Sequence, residues 1–527
     1  MKINFTYLLL GGLSALYYPA FAQYPGALDP TFGQNGAAII STPDSVHTGA
    51  SLAIQSDGKI LVSGDISNLS LQGNDIVVTR FFADGSVDPS YGYQGQKRID
   101  ILGLYDAPFA SATQSDDKLL VAGNSYSNDL NQNIAFVARL NIDGSLDETF
   151  GQNGIITFDL GDDEDIFYAI KVLADGKILL GGDTYDKNTS TSVDLLLIRL
   201  NPDGSPDTNF GNNGIVKKNF YLGFETIRSL QIQADGKIIA AGFQFINPAQ
   251  RKIQVERFQV NGATDPSFGN NGVKIIDYGS GSDNTAYSIA VQSDQKIIFC
   301  GAKGNANSSM LAVVRLLPGG SFDPDFGVNG QVFTDLGGVV EGKSLLIQPN
   351  GKILVGASYL PNPSSGSGYI NLLRYLENGA LDDEFGANGI VQSPFYPDYV
   401  DCSSLALLPN GKILMGATID LNTVVWRFEN DLVATHESNL SEFHINISPN
   451  PVDDNFFINW EQTDRILVSA DLFDTQGRYI QHLIPPTDFP SGKNEIRCSV
   501  MKQLGAGRYF IQFTAGSHIG LLQLVKQ

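Results

Sequence analysis

The stretch from Ile54 to Gly64, IQSDGKILVSG, returns along the chain as VLADGKILLGG, IQADGKIIAAG, IQPNGKILVGA and LLPNGKILMGA. The lysine after the turn falls at Lys59, Lys118, Lys177, Lys237, Lys296, Lys352 and Lys412. A second marker, Asp-x-x-Phe-Gly, places its aromatic at Phe32, Tyr91, Phe150, Phe210, Phe268, Phe326 and Phe385. A third is an arginine inside an apolar run: Arg80, Arg139, Arg199, Arg257, Arg315, Arg374 and Arg427. All three occur seven times, mostly 58 to 60 residues apart. Modules repeated at that interval share one continuous core, which overrides the several separate domains that 527 residues would otherwise suggest.

Each period reads as four short strands, in the first GAAIIS, ASLAIQ, KILVSG and DIVVTRFF, bounded by Gly, Asp, Asn and Ser. Asp57-Gly58 suits a type I′ hairpin, because both residues tolerate positive φ. Asp116-Asp117 and Asp294-Gln295 lack the glycine, which predicts strained or different turns there. Seven units of four strands predict an all-β fold, a seven-bladed β-propeller, in which radial packing leaves few exposed edges. An open solenoid uses shorter repeats. The seventh unit ends after VVWRFE without its Asp-x-x-Phe-Gly, and the missing copy stands at the other end as LDPTFGQNG. A closed ring therefore predicts that the segment near Phe32 packs beside the strand of Arg427.

NIDGSLDETFGQNG, LADGKILLGG and DLLLIRLNPDGS together resemble the delta-60 repeat family, from Gly26 to Glu429. The resemblance implies a propeller-like β repeat in secreted or surface proteins and no established chemistry. After Asn430 the repeat stops and DLVATHESNLSE reads as a linker, 431–442. Residues 443–527 alternate apolar and polar residues between glycine turns, as a small Ig-like β-sandwich does. This run resembles the C-terminal sorting domain of the type IX secretion system, with matching positions at Pro449, Asn450, Pro451, Gly477, Gly507, Tyr509 and Lys526. The resemblance implies the secretion machinery as a partner, a Gram-negative source, and release or attachment at the outer surface. An ordinary adhesion module shares the alternation but not these motifs at the extreme C-terminus.

Residues 1–22 carry one lysine, an apolar run from Tyr7 to Leu16, and small residues at Ala20 and Ala22, the pattern of a cleaved signal peptide. The propeller is then expected over 23–430. Fifty-six acidic against 34 basic residues give a net charge of −22, which disfavours nucleic acid and anionic lipid as partners. No later segment is apolar enough to suggest a membrane span. Three widely separated cysteines, Cys300, Cys402 and Cys498, make no disulfide framework.

The recurring Lys and Arg could bind a polyanion, but pairing with the recurring Asp29, Asp88, Asp147, Asp207, Asp265, Asp323 and Asp382 is the simpler reading, at about 0–1 kcal/mol per partly exposed pair. NIDGSLD and NPDGSPD set oxygens at Asn141, Asp143 and Asp147, and at Asn201, Asp203 and Asp207, in a hard-cation pattern. Phe82, Leu376 and Gly319 break that pattern elsewhere, so turns are expected rather than metal sites. The repeats hold a single histidine, His47, and no phosphate-binding glycine loop, so no cofactor is expected. Alternating strand direction puts the uniform turns on one face and the variable connections on the other. The variable ones carry Phe109, Tyr126, Tyr168, Tyr185, Tyr359 and Phe395, and the acidic Asp162, Asp163, Glu164 and Asp165. Rings beside polar groups suit sugars or peptides, so these six aromatics are the candidate ligand-binding residues of a non-catalytic binding or adhesion protein. The alternatives are a carboxylate-dependent glycosidase or polysaccharide lyase, and a structural surface-layer component.

Overall fold

The computed structural model describes residues 25–526 apart from 42–44, 69–72, 104, 161–163, 186–192, 219–223, 248–249, 280–283, 394–396, 431–442, 453–454, 474–478, 500–506 and 516–517. The expected signal peptide, the linker, Phe395 and Gly477 lie outside the described residues. Two compact units divide the chain, Pro25–Asp431 and a unit containing Leu432–Gln527.

In the first unit every module is a four-stranded antiparallel blade, with strands a to d running outward from the axis. Blade 1 is Ser45–Ile54, Ile60–Asn68, Asn74–Phe81 and Gln96–Ile99; blade 3 is Glu164–Val172, Ile178–Tyr185, Val193–Leu200 and Ile215–Lys218. Each strand a touches the strand a of the next blade, and that of blade 7, Val400–Leu407, touches that of blade 1. The ring is closed and has seven blades. One assignment from sequence changes: GAAIIS does not open blade 1. Its residues Ala37–Ile40 are the outer strand of blade 7, paired with Asn422–Phe428. The repeat as written in sequence is therefore out of phase with the blade by one strand.

That phase shift ties the ends together. Asp29 N–H donates to the Arg427 carbonyl at 2.9 Å and Gly26 N–H to Glu429 at 2.7 Å. Arg427 Nε donates to Asp29 Oδ2 at 2.6 Å, and its guanidinium lies 4.7 Å from the Phe32 ring centroid. Every blade repeats this unit. The arginine Nε meets the aspartate Oδ2 at 2.6–2.9 Å. It stacks on the Asp-x-x-Phe-Gly aromatic at 4.4–5.0 Å. Its Nη1 reaches a carbonyl in the next blade's turn, Ile142 for Arg80 and Ala83 for Arg427. Six of the recurring lysines join the same aspartates, as Lys118 does Asp147 at 2.8 Å. The lysines and arginines are thus structural. The arginine–aspartate pairs are also buried, with neither side chain more than 7% exposed, so the surface value of about 0–1 kcal/mol does not apply. Removing one partner leaves an uncompensated buried charge and costs about 3–5 kcal/mol.

The hairpin turn differs from expectation as well. Gln55 N–H bonds Lys59 O and Gly58 N–H bonds Gln55 O, and of Asp57 and Gly58 only Gly58 has positive φ, at 82°. This is a type I turn followed by a left-handed residue, which needs one permissive position where type I′ needs two. Asp117 and Gln295 adopt the same conformation at φ 62° and 67°. Their side chains reach back to the preceding blade's turn, Asp117 accepting Ser56 N–H at 2.7 Å and Gln295 accepting Ala234 N–H at 3.1 Å. Those bonds offset the strain.

The buried pairs set the acid response. Burial opposes the charge of Asp265, but hydrogen bonds from Ser267 and Lys237 and the charge of Arg257 outweigh it and hold the carboxyl down at about 2. Asp147 and Asp207 are lowered by the same balance. Asp65 and Asp106 go the other way, each pushed up to about 6 by burial. A depressed carboxyl stabilises above the unfolded value near 3.9 and loses that contribution as pH falls through its folded value; a raised one favours the protonated fold between its two values. Unfolding free energy is therefore expected to rise as pH falls from about 7 to about 4.5, then to drop between about 4 and 2. Urea midpoints across that range check this, and a steady fall from neutrality would contradict it.

The second unit is a sandwich. A three-stranded sheet of Asn446–Ser448, Phe456–Gln462 and Gly492–Cys498 faces a four-stranded one of Tyr479–Phe489, Ile466–Phe473, Gly507–Ala515 and His518–Lys526. Trp460 centres its core, with Phe489 at 4.9 Å and Phe513 at 5.3 Å, and its Nε1–H donates to Gln462 Oε1 at 2.9 Å.

Candidate functional site

In every strand a the ladder to strand b slips at one equivalent place. The slips fall between Gly49 and Ser51, Pro108 and Ala110, Phe167 and Ala169, Ile227 and Ser229, Ala286 and Ser288, Gly342 and Ser344, and Cys402 and Ser404. The extra residues are Ala50, Phe109, Tyr168, Arg228, Tyr287, Lys343 and Ser403. A bulge turns its residue out of the alternation that would bury it between blades. Strand a is the inner edge, so the bulged Phe109, Tyr168, Arg228, Tyr287, Lys343 and Ser403 form a belt around the axial channel. Just beyond four of the bulges a serine ties neighbouring inner strands together. Ser51 Oγ accepts Ser111 N–H at 3.1 Å, Ser229 accepts Ile289 at 3.2 Å, Ser288 accepts Leu345 at 3.1 Å, and Ser344 accepts Leu405 at 3.0 Å. The belt sits on a stiff frame.

Its chemistry divides into two arcs. In blades 2 to 4 the rings of Phe109 and Tyr168 meet at 5.0 Å with a 52° tilt, and the Arg228 guanidinium lies 3.7 Å from the Tyr168 centroid. Phe109 is 38% exposed, which leaves ring area for a ligand. Arg228 Nε is buried without a hydrogen-bond partner among the described residues. Burial raises the Tyr168 phenol above its usual range. Burial likewise pushes Asp183 up to about 7, against the nearby charge of Arg228. In blades 5 to 7, Lys343 Nζ lies 4.4 Å from the Tyr287 ring centroid and pairs with Glu341 at 2.8 Å and Asp401 at 3.6 Å. Burial works against its charge, but those two carboxylates outweigh it and hold Lys343 protonated above the usual lysine range. One arc is aromatic with a cation, the other a compensated ion cluster.

Of the aromatics expected from sequence, Phe109 and Tyr168 come together in this belt. Tyr126, Tyr185 and Tyr359 instead sit near the ends of strand b in blades 2, 3 and 6. They are half-buried. Tyr126 donates its hydroxyl to Asn131 Oδ1 at 2.8 Å, while Tyr359 donates to Leu336 O at 2.6 Å and stacks on Tyr369. Arg228, Tyr287 and Lys343 were missed by reading loops. The signal was present, because each bulged residue precedes a Ser or Ala at the repeat interval.

The cation-like turns are built from internal bonds. Asp143 Oδ1 accepts the amide and hydroxyl of Ser145, Asn141 donates to Ser145 Oγ and Leu146 O, and Asp147 serves Arg139 and Lys118. Among the described residues Asp75, Asp100 and Asp106 also converge. There Asp75 pairs with Arg98, and Asp106 accepts Ile101 N–H at 2.8 Å and the Ser125 hydroxyl at 2.5 Å, so the trio knits a loop.

In the sandwich, Asn450 Oδ1 accepts Val525 N–H at 2.9 Å, and Val452 N–H donates to Val525 O at 2.8 Å. The segment containing Pro449 and Pro451 is thereby fastened to the last strand. Gly507 pairs with Lys526 across that strand, and Tyr509 with Leu524.

Residues 55–91, 114–150, 173–210, 233–268, 292–326 and 348–385 match a family described as a domain of unknown function (DUF5122) beta-propeller. Residues 446–527 match the secretion system C-terminal sorting domain. The six matches against seven blades have a geometric reason, since the remaining copy is split between the two ends of the unit. No curated protein matches the chain. Among solved structures, the N-terminal domain of Nup159 is similar at 10% identity and TM-score 0.38, covering 77% of this chain and 98% of that one. A PL25 ulvan lyase bound to a saccharide is similar at 12% identity and TM-score 0.43, covering 78% and 96%. A protein of unknown function from Dyadobacter fermentans is similar at 12% identity and TM-score 0.38, covering 63% and 96%.

Proposed function

We propose that this chain, a DUF5122 β-propeller protein carrying a type IX secretion sorting domain and so exported to the cell surface or beyond, works there as a non-catalytic binding protein. Its ligand is an extracellular glycan or protein, received at the channel mouth on the face of the variable connections. One observation carries the reading: at an equivalent bulge position Phe109, Tyr168, Arg228, Tyr287, Lys343 and Ser403 present side chains of differing chemistry, whereas the framework around them repeats. Packing alone needs the bulge but not the Phe109–Tyr168–Arg228 group. A stacked aromatic pair beside a cation offers apolar area together with directed hydrogen bonds, as sugar and peptide sites do. The test is a glycan and protein binding screen with residues 23–430, repeated after exchanging the b–c and d–a connections while keeping the a–b turns. Binding that survives the exchange and also survives loss of the belt aromatics would sink the proposal.

The alternative of a carboxylate-dependent glycosidase or lyase draws on Asp183, whose carboxyl at about 7 could carry a proton near neutrality beside the belt. Release of sugar fragments from polysaccharides, abolished by Asp183→Asn, would favour it.

A further inference from the structure

The face that carries the a–b turns repeats almost without exception, and one loop breaks the pattern. After strand c of blades 1, 2, 3, 4 and 6 an Asp or Asn accepts the amide two residues on: Asp84 from Ser86 at 2.9 Å, Asp143 from Ser145 at 2.9 Å, Asp203 from Ser205 at 2.9 Å, Asn261 from Ala263 at 3.1 Å and Asn378 from Ala380 at 3.0 Å. Asp84, Asp143 and Asp203 also accept the serine hydroxyl, at 2.6–2.7 Å. In blade 5 this residue is Gly319, so the amide and hydroxyl of Ser321 have no such carboxylate. A β-carbon placed on Gly319 would meet nothing within 4 Å.

That loop borders a groove shared with the outer strand of blade 4, Val273–Ile276, and lined by Asn270, Lys274, Gly319, Gly320 and Ser321. Lys274 holds a strand position occupied by Ile156, Val216, Val332 and Val391 in blades 2, 3, 5 and 6. Its Nζ lies 4.3 Å from the Phe322 ring centroid, and no carboxylate pairs with it among the described residues. Blade 1 also has a lysine here, Lys97, but the loop of the following blade keeps its carboxylate, Asp143. Among the described residues, only at the boundary of blades 4 and 5 does a half-buried lysine at this strand position face a loop with neither Asp nor Asn.

We infer that this groove binds a carboxylate group. The ligand's oxygens take the place that the Asp143 and Asp203 carboxylates hold in the sibling loops, accepting the Ser321 amide and hydroxyl, while Lys274 supplies the opposite charge. Burial depresses the Lys274 pKa by desolvation, a cost that an incoming anion would relieve. The site lies on the face opposite the variable connections and stands independently of the channel reading.

The test uses the full chain labelled with glycine carbonyl carbon-13 and serine nitrogen-15, so that only serines following glycine report. Eight serines follow a glycine, and among them Ser86, Ser145, Ser205 and Ser321 are the ones compared, three with a built-in carboxylate and one without. Titration with sodium acetate is expected to move the Ser321 amide saturably and leave Ser145 and Ser205 in place. Lys274→Met should weaken the response about fivefold or more, as loss of a charge-assisted contact does. Gly319→Asp should shift Ser321 toward the Ser145 position and remove the response. An unsaturated drift shared by Ser86, Ser145, Ser205 and Ser321, an equal response to sodium chloride, or an unchanged titration in Lys274→Met would overturn the inference.

Discussion

Asp29→Ala is expected to lower the unfolding free energy of the propeller by about 3–5 kcal/mol, although the residue lies almost at the start of the described chain. The side chain is fully buried and accepts from Arg427 Nε at 2.6 Å, Lys412 Nζ at 2.5 Å and the Thr31 hydroxyl at 2.6 Å. Truncation leaves the buried Arg427 guanidinium without its carboxylate, while Lys412 keeps only Glu429, at 2.9 Å. It also weakens the seam at which Ala37–Ile40 completes blade 7, so amide exchange in that strand should accelerate more than in Gln96–Ile99. Asp88→Ala is the matched control, because Asp88 carries Arg80 but Lys59 pairs with Asp57 instead. Equilibrium urea unfolding with hydrogen exchange reads both. A loss below about 1 kcal/mol in Asp29→Ala, with unchanged exchange at 37–40, would mean that the ends do not hold the ring.

The second large effect belongs to the channel. For a ligand found in the binding screen, Phe109→Ala combined with Tyr168→Ala is expected to weaken affinity about tenfold to a hundredfold, since both stacking faces and the platform for Arg228 disappear. Arg228→Met should lose about tenfold on its own if the ligand carries an acceptor for the partnerless Nε. Tyr126→Leu, at the end of strand b and bonded to Asn131, should stay within about twofold of the native protein, as contacts outside a hot spot do. Urea midpoints for the same variants separate lost binding from lost structure. Equal losses in Tyr126→Leu and in the double variant would move the site out of the channel and onto the loops.

The comparison of these residues shows what a linear reading could reach. Phe109 and Tyr168 were legible as candidates because they are aromatic and read as part of the variable connections, although both lie inside strand a. That they touch was not legible, because 59 positions separate them and a propeller places equivalent residues of neighbouring blades side by side. Arg228, Tyr287 and Lys343 stand at the same repeat position, yet strand alternation assigns them to an interblade face. The bulge alone turns them to the axis. The type I turn at Gly58 was misjudged for a related reason: Asp-Gly is compatible with two loop geometries, and the hydrogen bond from Gln55 to Lys59 chooses between them.

By itself the sequence determined the number of blades, the closure of the ring by residues near Phe32, and the sorting module at the C-terminus. Each is a matter of counting and periodicity, which local chemistry writes directly into the chain. Only the tertiary structure decided which blade owns Ala37–Ile40, how deeply the arginine–aspartate pairs are buried, and which side chains meet in the channel. Those depend on contacts between residues a full repeat or more apart, and no local pattern encodes the direction in which an inner strand bulges.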